Sequence, residues 1–257
     1  MKTTLKLSTF LVALATAFTF SSCLNGDDSN NYATYRSYVT ITGDEVFGYK
    51  FYADFGSTLR PTTTSVLEVL PGLSKSGVKR AYIAFDLVSE TENGKNLEAG
   101  KEYDIIVRND ITANYAIPTY ETVMSREVTD SLHTKNERIN DVNQSIWAIN
   151  GYVNAQLTLN YDSNKQFYLN TYYTENDIDI TNNTLNLNLY YNSNSEYLSN
   201  QGSSVFSFKL PEQIASQFNS DEINLVLRAI TEYDDKTLRE VGSCKIAKKD
   251  FYTPSGF

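Results

Sequence analysis

Apolar and polar residues alternate with a period of two along most of the chain, the pattern of strands that bury one face. Residues 35–42 (YRSYVTIT) and 46–54 (VFGYKFYAD) read as two strands with a turn at Gly43-Asp44. Val66 to Leu70 is a short apolar run closed by Pro71-Gly72, a strong turn pair. Residues 79–89 (KRAYIAFDLVS) set Ala81, Ile83, Phe85 and Leu87 on one face, and Tyr103 to Val107 follows the break at Glu92-Asn93-Gly94. Five short strands joined by turns predict a small OB-like five-stranded barrel over residues 35–118.

The pattern then lapses. Residues 119–145 are rich in charge, with Glu121, Arg126, Glu127, Asp130, Lys135, Glu137, Arg138 and Asp141, and read as a linker or exposed loop between two domains. Alternation resumes at Ile146. In the run 166–174, Phe167, Leu169, Thr171 and Tyr173 face one way and Tyr168, Asn170 and Tyr172 the other. In 184–191, Leu185, Leu187 and Leu189 point inward and Asn186, Asn188 and Tyr190 outward. Phe206 and Phe208 mark a further strand, Pro211 opens one short helix, and the runs 222–230 and 238–247 close the set. Residues 146–250 are therefore expected to form an antiparallel β-sandwich, and the whole chain is mostly β.

The first residues belong to neither domain. Lys2 and Lys6 precede an apolar stretch from Leu7 to Phe20, and small residues then lead to Cys23. This is the layout of a bacterial lipoprotein signal peptide (1–22), cut before a cysteine that is acylated and anchors the chain in the outer membrane. Residues 23–34 follow as a polar, flexible tether. Asp27 and Asp28 behind the cysteine resemble a surface-export signal of Bacteroides-type lipoproteins, which would turn the protein towards the cell surface.

Composition narrows the chemistry. The 257 residues carry a formal charge of −9, which becomes −11 once Lys2 and Lys6 leave with the signal. Such a chain repels phosphate backbones, so nucleic acid is not an expected partner. Nineteen tyrosines and thirteen phenylalanines suit a pleated sheet surface. With Cys23 acylated, Cys244 is left as a single thiol on a strand, read as a small buried hydrophobe.

The segments YADFGSTLRP (52–61), GVKRAYIAFDL (77–87), LEAGKEYDIIV (97–107), WAINGYVNAQLTLNY (147–161), LNLYYN (187–192) and FSFKLP (206–211) occur in an order that resembles the NigD-like lipoproteins of Bacteroides-type bacteria. The resemblance implies an N-terminal OB-type barrel, a C-terminal β-sandwich and a role in bacteriocin immunity. It implies no catalytic residues.

The motifs that carry chemistry are missing. No phosphate-cradling glycine loop, no paired histidine or cysteine zinc motif and no nucleophile elbow occurs, so neither cofactor nor metal nor enzymatic activity is expected. The sole histidine, His133, lies in the polar linker. Asp54, Asp86 and Asp104 are the strand carboxylates from which a glycosidase pair could be drawn, and read more simply as solvated positions. Asp177 and Asp179, with Asn176, form a D-x-D pattern that suits a polar loop better than a calcium site. Tyr168, Tyr172 and Tyr190, outward with asparagines beside them, form a candidate patch for a glycan or protein ligand, with cross-strand pairing as the plainer reading. Asp130-Ser131-Leu132 matches a short O-glycosylation pattern with Ser131 as acceptor. The expected function is binding by a lipid-anchored envelope protein. A fimbrial-type subunit and a carbohydrate-binding surface lipoprotein are the alternatives.

Overall fold

The computed structural model describes residues 34–44, 46–62, 66, 77–89, 94–108, 114–124, 136–143, 145–232 and 236–255. The signal peptide, Cys23, nearly all of the tether, Ser131 and His133 lie outside them.

The first domain is built from β1 (Tyr35–Asp44), β2 (Gly48–Ala53), β3 (Thr58–Pro61), β4 (Arg80–Leu87) and β5 (Glu102–Val107), with β6 (Tyr115–Ala116) added beside β4. The strands run β1-β2-β3-β5-β4, and β4 pairs back onto β1 to close a barrel. The β3–β5 pairing is parallel and the others round the ring are antiparallel, the Greek-key closure of an OB-type barrel. Val39, Ile41, Phe51, Leu59, Ile83, Phe85 and Ile105 fill its interior.

The count of five strands is as expected, but one is placed elsewhere. The third is Thr58–Pro61, whose four residues bury only Leu59 and so show no alternation to read. Val66, expected in a strand, is helical and buried in the barrel core. The first hairpin also turns later than Gly43-Asp44. Those residues still pair in β1, and the Asp44 carboxylate accepts hydrogen bonds from the amides of Val46 and Phe47 at 2.8 and 2.9 Å. This local turn leaves Val46 and Phe47 at an exposed tip rather than in a strand.

The second domain contains β7 (Thr119–Tyr120), β8 (Thr122–Met124), β9 (Asp141–Val142), β10 (Trp147–Ile149), β11 (Tyr152–Tyr161), β12 (Tyr168–Tyr173), β13 (Ile178–Asp179), β14 (Thr184–Asn192), β15 (Asn200–Lys209), β16 (Glu222–Ala229) and β17 (Arg239–Ala247). One sheet runs β10-β11-β15-β7 with β9 on β11, the other β17-β16-β14-β12-β8 with β13 on β14. They enclose one core that includes Val153, Leu157, Leu187, Leu189, Phe208, Leu225 and Phe251. The short helix after Pro211 is a 3-10 helix, Glu212–Gln217.

Two details depart from expectation. Three pairings are parallel, β8–β12, β14–β16 and β7–β15. Consistent with that, β14 is buried on both faces, as parallel strands in sheet centres are. Much of the segment expected as a linker is sandwich. It supplies β7, β8 and β9, and the Ile139 amide donates to the carbonyl of Ile230 at 2.8 Å. Asn136 donates to the carbonyl of Leu189 and accepts from the amide of Tyr191, continuing the sheet past the end of β16. Its charges masked a segment held by backbone bonds and by buried Ile139. The crossing between domains is short, through Ile117 and Pro118. Ile117 donates to the carbonyl of Arg80, and the Pro118 carbonyl accepts from the amide of Ser207.

A candidate binding site at the joint between the domains

The joint is organised by Arg80, the first residue of β4, whose side chain is on the outer barrel face and fully buried. All five guanidinium N–H donors have acceptors. Nη1 donates to Asp54 Oδ1 at 2.6 Å and to Thr40 Oγ1 at 2.9 Å. Nη2 donates to Asp54 Oδ2 at 2.7 Å and to Asn154 Oδ1 at 2.9 Å, and Nε to Ser207 Oγ at 3.5 Å. Thr40 and Asp54 belong to the barrel, Asn154 and Ser207 to the sandwich. The guanidinium also lies 5.7 Å from the centre of the Tyr152 ring. The sole tryptophan completes the clamp: Trp147 Nε1 donates to Asp54 Oδ2 at 2.7 Å. A buried arginine held this way against a fork-matched carboxylate fixes geometry more than it adds stability.

A second set of contacts braces the joint. Asn150-Gly151 forms a two-residue hairpin turn with φ of 54° and 82°, since Ile149 pairs directly with Tyr152. Asn150 donates to the carbonyl of Tyr52 across the joint at 3.3 Å. The C-terminal tail returns to the barrel, where the Tyr52 hydroxyl donates to the Ser255 carbonyl at 3.1 Å.

Beside the clamp runs a row of rings. Tyr38 on β1 and Tyr82 on β4 are direct cross-strand partners, as are Tyr82 and Tyr115 on β6. Centroids are 5.1 Å apart for Trp147–Tyr38, 4.7 Å for Tyr38–Tyr82 and 5.4 Å for Tyr82–Tyr115. The planes of successive rings are tilted by 46°, 54° and 32°, so the row is not a flat platform. Tyr115, at its outer end, is 43% exposed. Burial pushes the Tyr38 hydroxyl well above the ordinary tyrosine range, with the nearby Tyr115 adding to it, and raises that of Tyr82 against the opposing pull of Arg36. Both stay neutral hydrogen-bonding groups.

From Trp147 the outer face of the first sandwich sheet leads away from the joint. Trp147 is opposite Asn154, and Gln156, Thr158 and Asn160 follow on the same face of β11. Their neighbours on β15 are Val205, Ser203 and Gln201, with Val205 buried. Gln156 donates to Ser203 Oγ and accepts from Asn143, both at 3.1 Å. Asn160 exchanges hydrogen bonds with Asn140 and accepts one from Gln201. The result is an uncharged ladder of amides and hydroxyls, with Asp141 beside it opposite Thr158.

The patch expected from the sequence is not assembled. Tyr168, Tyr172 and Tyr190 do face away from the core, but only Tyr168 is exposed, at 54%, while Tyr172 and Tyr190 are 3% and 7% exposed. The excursion 174–183 folds over that face. Its Asp177 carboxylate accepts from the amide and hydroxyl of Thr174, from Asn188 and from Arg228, which explains why the D-x-D pattern is a satisfied polar turn. Asp179 is likewise held, by Asn182.

The other nominated carboxylates are paired with arginine. Asp54 meets Arg80, Asp86 meets Arg108 at 2.7 Å, and Asp104 meets Arg60 at 3.0 Å. Cys244 packs against the sandwich core, and burial raises its thiol pKa to about 12, which suppresses thiolate. Among the described residues, no group of three or more His, Cys, Asp or Glu gathers to hold a metal ion, and no helix is long and apolar enough to cross a membrane.

Sequence reasoning missed the aromatic row because its four rings come from four strands spread between residues 38 and 147. The alternation in β1 and β4 does show Tyr38 and Tyr82 facing outward, but nothing local pairs them.

Comparison with known proteins places this architecture. The profile of the NigD-like C-terminal beta sandwich domain matches residues 121–241, beginning inside the segment expected as a linker. No curated protein sequence matches the chain. Among solved structures, a NigD-like immunity protein from Bacteroides caccae aligns over 86% of this chain and 99% of its own, with TM-score 0.51 and 16% identity. A candidate lipoprotein from Bacteroides fragilis aligns over 84% and 98%, with TM-score 0.55 and 13% identity. A candidate toxin-related protein from Parabacteroides distasonis aligns over 84% and 95%, with TM-score 0.58 and 15% identity. At these identities the likeness is one of fold.

Proposed function

The chain carries a NigD-like C-terminal β-sandwich domain behind a five-stranded barrel, and from that premise we propose that it is a non-catalytic binding protein of the cell envelope. Its working surface is the corner where the barrel meets the sandwich. The observation that carries this reading is the row Trp147–Tyr38–Tyr82–Tyr115, partly exposed and held beside a joint where buried Arg80 bridges barrel and sandwich. A rigid, preformed aromatic surface loses little entropy on binding. Asp54, Asp86 and Asp104 are each tied to a different arginine rather than brought together as a pair, which supports binding over a two-carboxylate mechanism.

In this reading Cys23 bears the lipid, the outer membrane is the attachment surface, and the domains face the cell exterior. Immunity is the biological role that the name of the similar Bacteroides caccae protein supports, and the NigD-like resemblance makes a bacteriocin the agent to test. Replacing Cys23 by serine is expected to move the protein from the membrane to the soluble fraction.

The test is photo-crosslinking in intact cells, with a photoreactive residue at position 115 or at position 168 on the opposite sheet. Position 115 is expected to yield a specific adduct, and mass spectrometry then shows whether it is a toxin, a toxin receptor or an envelope component. Equal labelling from both positions, or none from 115, would overturn the assignment of the surface.

A further inference from the structure

We propose that the corner binds an uncharged polysaccharide, with the aromatic row stacking on sugar faces and the amide ladder hydrogen-bonding their hydroxyls. This deepens the binding reading above and rests on its choice of surface.

The two walls supply the two halves of sugar chemistry. A pyranose presents apolar C–H faces and a rim of hydroxyls. Tyr115, Tyr82 and Tyr38 offer ring faces, spaced about 5 Å apart from one centroid to the next. The rings are tilted to one another by 54° and 32° and form no flat platform, which suits a ligand of separate puckered rings better than one flat aromatic system. Tyrosine serves such a site well, with an apolar body and a polar edge.

The other wall begins at Trp147 and is neutral. Gln156, Asn160 and Gln201 each donate one amide hydrogen within the ladder. An amide has two N–H donors and a carbonyl with two lone pairs, so each retains bonding capacity beyond its place in the ladder. The bonds inside the ladder hold those spare groups in fixed directions. Ser203 accepts from Gln156 and keeps its own hydroxyl proton to donate. Such fixed polar groups beside an apolar surface are how small-molecule sites orient a ligand.

Charge selects among polysaccharides. Arg36 lies near enough to act on Tyr82, but the chain is strongly acidic and the ladder offers no cation, so the net field disfavours sulfated or uronic-acid chains relative to a neutral one. The ladder wall, with Gln156, Thr158, Asn160, Ser203 and Gln201 set around a buried Val205, offers more amides and hydroxyls than the core of a protein interface does.

The experiment is affinity electrophoresis of the full chain in detergent. The gels contain dextran, yeast mannan, the neutral polysaccharide fraction of the native envelope, or heparin. Retardation is expected in at least one neutral gel and none with heparin. Tyr115→Ala and Gln156→Ala, one on each wall, should each weaken retardation about three- to tenfold, as the loss of one aromatic or hydrogen-bonding contact would. Tyr115→Phe should retain it, since stacking needs the ring and not the hydroxyl. Both alanine positions lie at the surface, and unchanged melting curves confirm that the fold survives. No retardation in any neutral gel, stronger retardation by heparin, or undiminished binding by both alanine variants would overturn the proposal. Such a failure accompanied by a position-115 protein adduct in cells would overturn the glycan ligand alone. Failure of both overturns the surface itself.

Discussion

At the scale of single residues, Arg80 dominates. It is fully buried, and its acceptors come from residues 40, 54, 154 and 207. Removing it strands the Asp54 carboxylate, whose remaining side-chain donor is Trp147. Arg80→Met should therefore cost about 3–5 kcal/mol in urea unfolding, the range for breaking one side of a buried pair. The double variant Arg80→Met/Asp54→Leu should recover a substantial part of that. A loss below about 1 kcal/mol for the single change would show that the clamp is solvated. Tyrosines give a pH signature. Burial raises the hydroxyl pKa of Tyr38 and Tyr191 in the folded chain. The folded state then disfavours the phenolate, so stability is intact below the unfolded tyrosine pKa of about 10 and declines as pH rises beyond it. Melting temperatures between pH 9 and 11.5 should fall, and Tyr38→Phe should flatten the decline. A melting temperature constant to pH 11.5 would contradict this.

Elements show what sequence reveals and where it stops. Alternation located the buried faces of β4, β12 and β14 residue by residue, because a strand with one core face writes its orientation into every second position. It could not foresee that the opposite face of β14 is covered too. That cover comes from an Asp177 turn, and no local pattern reports what a neighbouring excursion will do. Likewise β3 is too short to show a period, and charged residues hid the backbone-bonded stretch 136–142. The joint was the least legible feature. Asp54 was visible as a carboxylate, but its partner, its tryptophan and the tyrosine row are assembled only by the closing of the barrel. The β10–β11 hairpin, by contrast, rests on Asn150-Gly151, a pair suited to positive φ. Gly151 has a second constraint: a Cβ there would sit 2.5 Å from Thr253 Oγ1 and 2.8 Å from its amide nitrogen. Gly151→Ala should thus cost about 1–3 kcal/mol through strain and a displaced tail. Chemical denaturation measures it, and deleting residues 253–257 in the same background should remove part of the penalty. Equal penalties with and without the tail would assign the whole effect to the turn.

The whole molecule is two domains bound by side chains and by a crossing of two residues, Ile117 and Pro118. Because Trp147 bonds to Asp54 of the barrel while its backbone belongs to the sandwich, its fluorescence reports the joint itself. In urea, the fluorescence midpoint should coincide with the loss of far-UV circular dichroism, as one cooperative unit requires. In Arg80→Met it should move to lower urea, the joint opening before the sheets melt. Separate transitions in the unaltered chain would show that the domains are independent.

The position of β1 has a mechanical consequence. It is the first strand among the described residues, and it is paired at six positions with β2 and at six with β4. A pull arriving through the residues ahead of Tyr35 acts along its axis, so both ladders are loaded in shear and many bonds share the force at once. Tyr38 lies three residues into that same strand, and through its ring contacts the strand touches Tyr82 and Trp147. Tension between whatever holds the N-terminus and whatever occupies the corner is thereby carried across a few residues of a strand paired on both sides, and most of the molecule is spared the load.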